Sequence, residues 1–181
     1  GDRLAGNLSG GMKQKLALSC ALIHKPELLI LDEPTTGVDA VSRKEFWEML
    51  HTLKDEGITI VASTPYMDEA DQCDRVALID NGEILSIDTP QHVAASFNKK
   101  LYGLKADSTY QLLNALKAYK YADSVQPFGE FVHYTDVREL MDEAELLSYL
   151  RDENVEGVQI KGLKPAIEDV FIDLMKEPDH G

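Results

Sequence analysis

The sequence predicts an α/β chain: a core of parallel strands followed by a small α+β layer of ferredoxin-like order. Three observations lead there. The first is a run of large apolar residues, Leu28, Leu29, Ile30 and Leu31, ending in Asp32 and Glu33. Such a run reads as a fully buried strand of a parallel sheet with its carboxyl end at a site. The second is a further run, Ile58 to Ala62, separated from the first by a segment of helical spacing. The third is the succession of short elements after residue 100 in the order β-α-β-β-α-β, the pattern of a split βαβ layer.

In chain order, Ser9, Gly10 and Gly11 open a helix running to about His24, with Ser9 as its N-cap. Two glycines leave backbone N–H groups uncovered at a helix start, where anions bind. Leu16, Ala17, Ala21 and Leu22 form its expected apolar face, and Pro26 ends it. Pro34 stops the Leu28 strand, and Thr35, Thr36 and Gly37 turn the chain. Val41 to Glu56 reads as a helix with Phe46, Met49, Leu50 and Leu53 on one stripe, Trp47 packing beside it and Gly57 closing it. The Ile58 strand ends at Ser63, Thr64 and Pro65, and Tyr66 to Cys73 is a short acidic helix. Strands Arg75–Asp80 and Ile84–Asp88 meet at Asn81-Gly82, which suits a two-residue hairpin because both positions tolerate positive φ. Thr89-Pro90 caps a helix carrying Val93 and Phe97.

A boundary is expected at Asn98-Lys99-Lys100, giving domains 1–97 and 98–181. Beyond it the reading is strand 101–106, helix 108–119, strands 122–127 and 130–135 about a Phe128-Gly129 turn, helix 138–152, strand 155–161 and helix 165–176. Asp136 and Glu139 supply a capping-box pattern for the long helix. His133 reads as a surface or satisfied histidine rather than a ligand.

The 181 residues, 44% of them hydrophobic, suffice to bury a core. A net charge of -14 argues against extended binding to nucleic-acid backbones and against lying on an anionic membrane. No apolar stretch approaches the roughly 20 residues that cross a bilayer, so a membrane role would pass through a partner. Cys20 and Cys73 fall in apolar helical contexts without zinc or disulfide spacing, and read as small core residues of a reduced, cytosolic protein. The chain begins at Gly1 and is expected to be a piece of a longer protein.

LSGGMKQK at Leu8–Lys15, LLILDEP at Leu28–Pro34 and TGVDA at Thr36–Ala40, in this order and spacing, resemble the ATP-binding cassette (ABC) ATPase family as far as about Ile87. The segment Pro165–Phe171 resembles the closing LEDVF stretch of the C-terminal domain on drug-export-type members. The resemblance implies a partial P-loop NTPase (RecA-like) core, with ATP and Mg²⁺ as ligands. Asp32 would then hold Mg²⁺ through a coordinated water, and Glu33 would polarise the attacking water. The residue chemistry agrees: one carboxylate at a strand tip can hold a hydrated cation while its neighbour orients a water. Ser9, Gly10 and Gly11 would contact the γ-phosphate of a nucleotide bound to the opposite subunit, and Asp39, in the family's D-loop, would organise the subunit contact.

Two departures stand out. No G-x-x-x-x-G-K-[ST] cradle occurs in these residues, nor the glutamine that precedes the signature in the family, so this piece alone is expected neither to bind ATP tightly nor to hydrolyse it. The family pattern STHxMDEA reads Ser63-Thr64-Pro65-Tyr66-Met67-Asp68-Glu69-Ala70 here, and Pro65 offers no donor where a switch histidine would stand. Either this domain forms one half of an asymmetric pair, or Tyr66 or another group takes over the contact.

The implied function is the C-terminal part of the ATP-hydrolysing subunit of an ABC exporter. Its partners would be a second ABC ATPase domain and an integral membrane permease, with no nucleic acid, at the cytoplasmic face of the membrane. A soluble ABC ATPase acting on nucleic acid or ribosomes is an alternative that long coiled coils or basic insertions would mark. A non-catalytic regulatory or dimerisation module is another. A missing strand beside the Leu28 strand would leave a sheet edge open, so the isolated piece is expected to associate or to be poorly stable.

Overall fold

The structure, a computed structural model, describes residues 8–176. The chain divides into two compact units, Gly1–Cys73 and Asp74–Gly181.

In the first unit, helix α1 (Gly10–Ala21) starts at Ser9, whose Oγ accepts the Met12 N–H at 3.3 Å. A 3₁₀ turn (Leu22–His24) and Lys25, in the left-handed region at φ 48°, end it. Strand β1 (Leu28–Asp32) leads through helix α2 (Ala40–Asp55) to strand β2 (Thr59–Ser63), which pairs with β1 in parallel as predicted. The register sets Asp32 directly across from Ser63. The short helix α3 (Met67–Ala70) follows. Leu18, Leu29, Phe46, Trp47 and Leu50 form the core of this unit.

Two expectations are corrected here. β1 is not buried on both faces: Leu29 is 5% exposed, whereas Ile30 is 72% exposed and Val61 of β2 is 54% exposed. Successive strand residues face opposite ways, and only the Leu29 face meets the helical core. The buried stripe of α1 is also narrower than predicted. Gly11 and Leu18 are buried, at helical spacing, while Leu16, Ala17 and Ala21 are exposed.

The second unit opens with strands β3 (Val76–Asp80) and β4 (Glu83–Asp88), an antiparallel hairpin. Asn81 at φ 49° and Gly82 at φ 82° make its turn, as the dipeptide predicts. Helix α4 (Pro90–Ala95) is capped by Thr89, with Pro90 in the first turn. Then come β5 (Leu101–Lys105), α5 (Thr109–Ala118), β6 (Ala122–Phe128), β7 (Phe131–Asp136), α6 (Glu143–Asp152), β8 (Gln159–Leu163) and α7 (Ile167–Leu174). The sheet order is β6-β7-β5-β8, every pair antiparallel. Each long helix thus joins two strands with a third between them, the split βαβ, ferredoxin-like arrangement predicted. Leu104, Leu112, Leu116, Val132, Tyr134, Leu146 and Leu150 are fully buried between the sheet and α5 and α6. His133 points to the opposite face, where its Nδ1 lies 2.7 Å from Asp169 Oδ1 of α7, so it is a satisfied histidine.

Helix α6 begins later than residue 138. Asp136 does not cap it, because its carboxylate accepts the Arg138 Nε and a terminal guanidinium N–H, each at 2.8 Å, and the Tyr134 hydroxyl at 2.8 Å. Asp142 is the cap and accepts the Glu145 N–H at 3.0 Å. Strand β8 starts at Gln159 rather than 155, since Asn154 (φ 60°) and Gly157 (φ 68°) keep the chain turning. Cys20 is exposed, contrary to its reading as a core residue, and Cys73 is partly buried against the first core. Within the second unit α4 packs on α7. Among the described residues no helix is long and apolar enough to cross a membrane.

Candidate functional site at the strand tips

The parallel register brings the ends of β1 and β2 side by side, and a web of side-chain hydrogen bonds joins them. Ser63 Oγ donates to Asp32 Oδ1 at 2.6 Å and accepts the Glu33 backbone N–H at 2.9 Å. The other Asp32 oxygen has no hydrogen-bond partner among the described residues. Glu33 leaves the strand at φ 43°, a left-handed conformation unusual for a side-chain-bearing residue, which marks the site as structurally constrained. Its Oε2 accepts the Thr36 hydroxyl at 3.0 Å. Both acids are exposed. The turn therefore separates the two carboxylates, as a strand tip with two different partners requires.

The α1 start forms a second cluster. Ser9 and Gly10 are exposed, whereas Gly11 is buried against α2. A Cβ on Gly11 would stand 2.6 Å from the Ser42 Cβ, and one on Gly10 would stand 3.4 Å from the Gly37 carbonyl oxygen. Gly11 is thus required by close approach, while Ser9 and Gly10 present the open end of the helix. Asp39 caps α2, its Oδ1 accepting the Ser42 N–H at 3.0 Å. The Ser42 backbone N–H and hydroxyl hold the Asp39 carboxyl below its ordinary range. Helix α1 and the Asp39 turn are therefore packed together. No hydrogen bond among the described residues links this cluster to Asp32 and Glu33.

Pro65 is exposed at the β2 tip and carries no donor. Beside it lies a network the sequence did not reveal. Glu69 is 1% exposed and accepts the Thr35 hydroxyl at 2.7 and 3.0 Å and the Thr64 hydroxyl at 2.6 Å. Arg43 Nε stands 3.9 Å from Glu69 Oε1, and its guanidinium lies 4.4 Å from the Tyr66 ring centroid. The available signal was an acid in a one-turn helix following two hydroxyl residues at a strand end.

The family described as "ABC transporter" matches residues 1–36. Among curated proteins, the chain is 37% identical over 177 residues to the probable multidrug ABC transporter ATP-binding protein YbhF of Escherichia coli K12, spanning 96% of this chain and 30% of that protein. It is 31% identical over 179 residues to the daunorubicin resistance ATP-binding protein DrrA2 of Streptomyces coeruleorubidus, spanning 96% of this chain and 56% of that protein. A solved structure, cbiO1 of Clostridium perfringens, described as part of the ABC transporter complex cbiONQ, aligns at 34% identity with a TM-score of 0.47, over 51% of this chain and 38% of that one. The chain thus spans between 30% and 56% of the length of these two curated relatives.

Proposed function

Because the chain belongs to the ATP-binding cassette transporter family, we propose that it is the C-terminal part of the ATP-hydrolysing subunit of an exporter of the drug-resistance type. The complete protein would bind ATP between two such domains and couple its hydrolysis to an integral membrane permease, from the cytoplasmic face and without nucleic acid. Residues 1–97 would close the nucleotide-binding domain, and 98–181 would form an accessory domain. The reading is carried by the β1 tip, where one hydroxyl, Ser63, fixes both the Asp32 side chain and the Glu33 backbone.

Phosphoryl transfer to water depends on positioning and charge neutralisation. Glu33, exposed and anchored at its N–H, would orient and deprotonate the attacking water. Asp32 has one oxygen committed to Ser63 and the other without a hydrogen-bond partner among the described residues, which fits a cation held largely by water and phosphate oxygens. Bound there, Mg²⁺ would neutralise charge on the β- and γ-phosphates. The open helix start at Ser9 and Gly10 would meet the γ-phosphate held by the opposite protomer, with Gly11 letting α1 approach the Asp39 turn.

A second reading concerns pairing. Pro65, exposed and without a donor, favours an asymmetric pair in which this protomer supplies the weaker half-site. The proposal is tested in the complete protein by steady-state ATP hydrolysis. Glu33→Gln should lower kcat at least about a hundredfold, on the scale set by loss of a general base. Magnesium-dependent turnover that survives Glu33→Gln intact would contradict the assignment.

A further inference from the structure

The best-buried carboxylate at the strand tips belongs to no role assigned above. Glu69 is 1% exposed, as is Thr35. Thr35 lies two residues beyond Glu33, and Thr64 immediately follows Ser63 and precedes Pro65. Glu69 accepts hydroxyls from both threonines, at 2.7 and 3.0 Å from Thr35 and at 2.6 Å from Thr64. Thr64 Oγ1 also accepts the Tyr66 N–H at 3.1 Å, so the turn through Pro65 closes on the same hydroxyl. Arg43 approaches Glu69 at 3.9 Å and donates to Asp68 at 3.1 Å, anchoring this web to α2.

Burying a carboxylate is costly, and an apolar side chain of similar volume often stabilises as well or better. What an apolar residue cannot do is hold two hydroxyl-bearing turns in one fixed relation. Ser63 links the strands at the level of Asp32, and Glu69 links them one step farther out.

We propose that Glu69 is a positioning residue that locks the Thr35 turn following Glu33 to the Thr64–Pro65 turn through the chain Thr35–Glu69–Thr64. This rests on the ATPase reading above. Ser63 couples the two tips at the level of Asp32, and this chain adds a second link through the turns that follow them. Misplacing a catalytic group by about an ångström can cost on the order of a hundredfold in rate, so loosening one turn lowers kcat without weakening substrate binding.

The experiment uses the complete protein, with steady-state ATP hydrolysis and thermal melts on Thr35→Val, Thr64→Val, the double variant and Glu69→Met. Either threonine variant should lower kcat about tenfold with the KM for ATP changed less than about twofold. The double variant should be no worse than the poorer single one, because both act through one carboxylate. Glu69→Met should match the double variant; should it fail to fold, the threonine variants decide alone. Melting temperatures that fall while kcat stays unchanged, or threonine effects on kcat that multiply, would overturn the proposal. Unmutated protein without ATP turnover would overturn the ATPase reading and this inference together, whereas normal turnover in every variant overturns the inference alone.

Discussion

The second unit and the first enclose their sheets to different degrees. In the second unit, twelve buried apolar residues fill one continuous core behind a four-stranded sheet. In the first, among the described residues, a cluster of five buried apolar residues backs a two-stranded sheet whose other face leaves Leu28, Ile30 and Val61 more than half exposed. Yet the exposed acids, the open helix start and the buried Glu69 web all lie in the first unit. Among the described residues, the less enclosed unit holds the groups proposed above to act on the nucleotide, and the better-packed unit holds none of them. Sites that must open and close around a ligand are drawn from the less stable parts of a fold.

The contrast is broken or sharpened most directly by separating the units. A chain of residues 74–181 should melt cooperatively as a monomer, whereas residues 1–73 alone should associate or show no cooperative melt, read by circular dichroism and sedimentation. A monomeric, cooperative 1–73 would remove the contrast.

Next in size is Gly11→Ala. Alanine normally favours a helix interior, but here its Cβ would fall 2.6 Å from the Ser42 Cβ, so a loss of about 1–3 kcal/mol is expected in the complete protein. Adding Ser42→Gly should recover part of it; denaturant melts of the single and double variants check both. Stability unchanged by Gly11→Ala would mean that α1 and α2 are not packed as described.

The smallest effect belongs to the second unit. Burial raises the Asp123 carboxyl, but hydrogen bonds from Lys176, Lys99 and Thr135 outweigh it and bring it down to about 2 from an ordinary 3.8. A depressed carboxyl contributes stability that is complete above the ordinary value and is lost as pH falls towards 2. Allowing for its partial exposure, the loss between pH 4 and 2 should be on the order of 1 kcal/mol. Asp123→Asn should flatten that part of the pH–stability curve, and an unchanged curve would remove the role given to the lysine pair.

Features set by neighbouring residues were legible in the sequence: the Ser9 cap, the β1 tip, the Asn81-Gly82 turn and the split βαβ order. Those set by contact across the fold were not. The Thr35–Glu69 bond spans 34 positions and exists only because β1 and β2 pair in one register. Asp136 looked like a cap because sequence spacing cannot weigh a guanidinium against a helix N-terminus. The bare Ile30 face was missed for a related reason: an apolar run shows which faces need cover, not which ones the described residues cover.

The central claim is that Ser9–Gly10 and Asp32–Glu33 are two half-sites for one nucleotide between paired protomers. Sedimentation of the complete protein carrying Glu33→Gln, with and without ATP, tests it most directly. The account predicts ATP-dependent pairing that is abolished when Gly10→Asp is added. Pairing indifferent to ATP, or ATP-dependent pairing that survives Gly10→Asp, would contradict it.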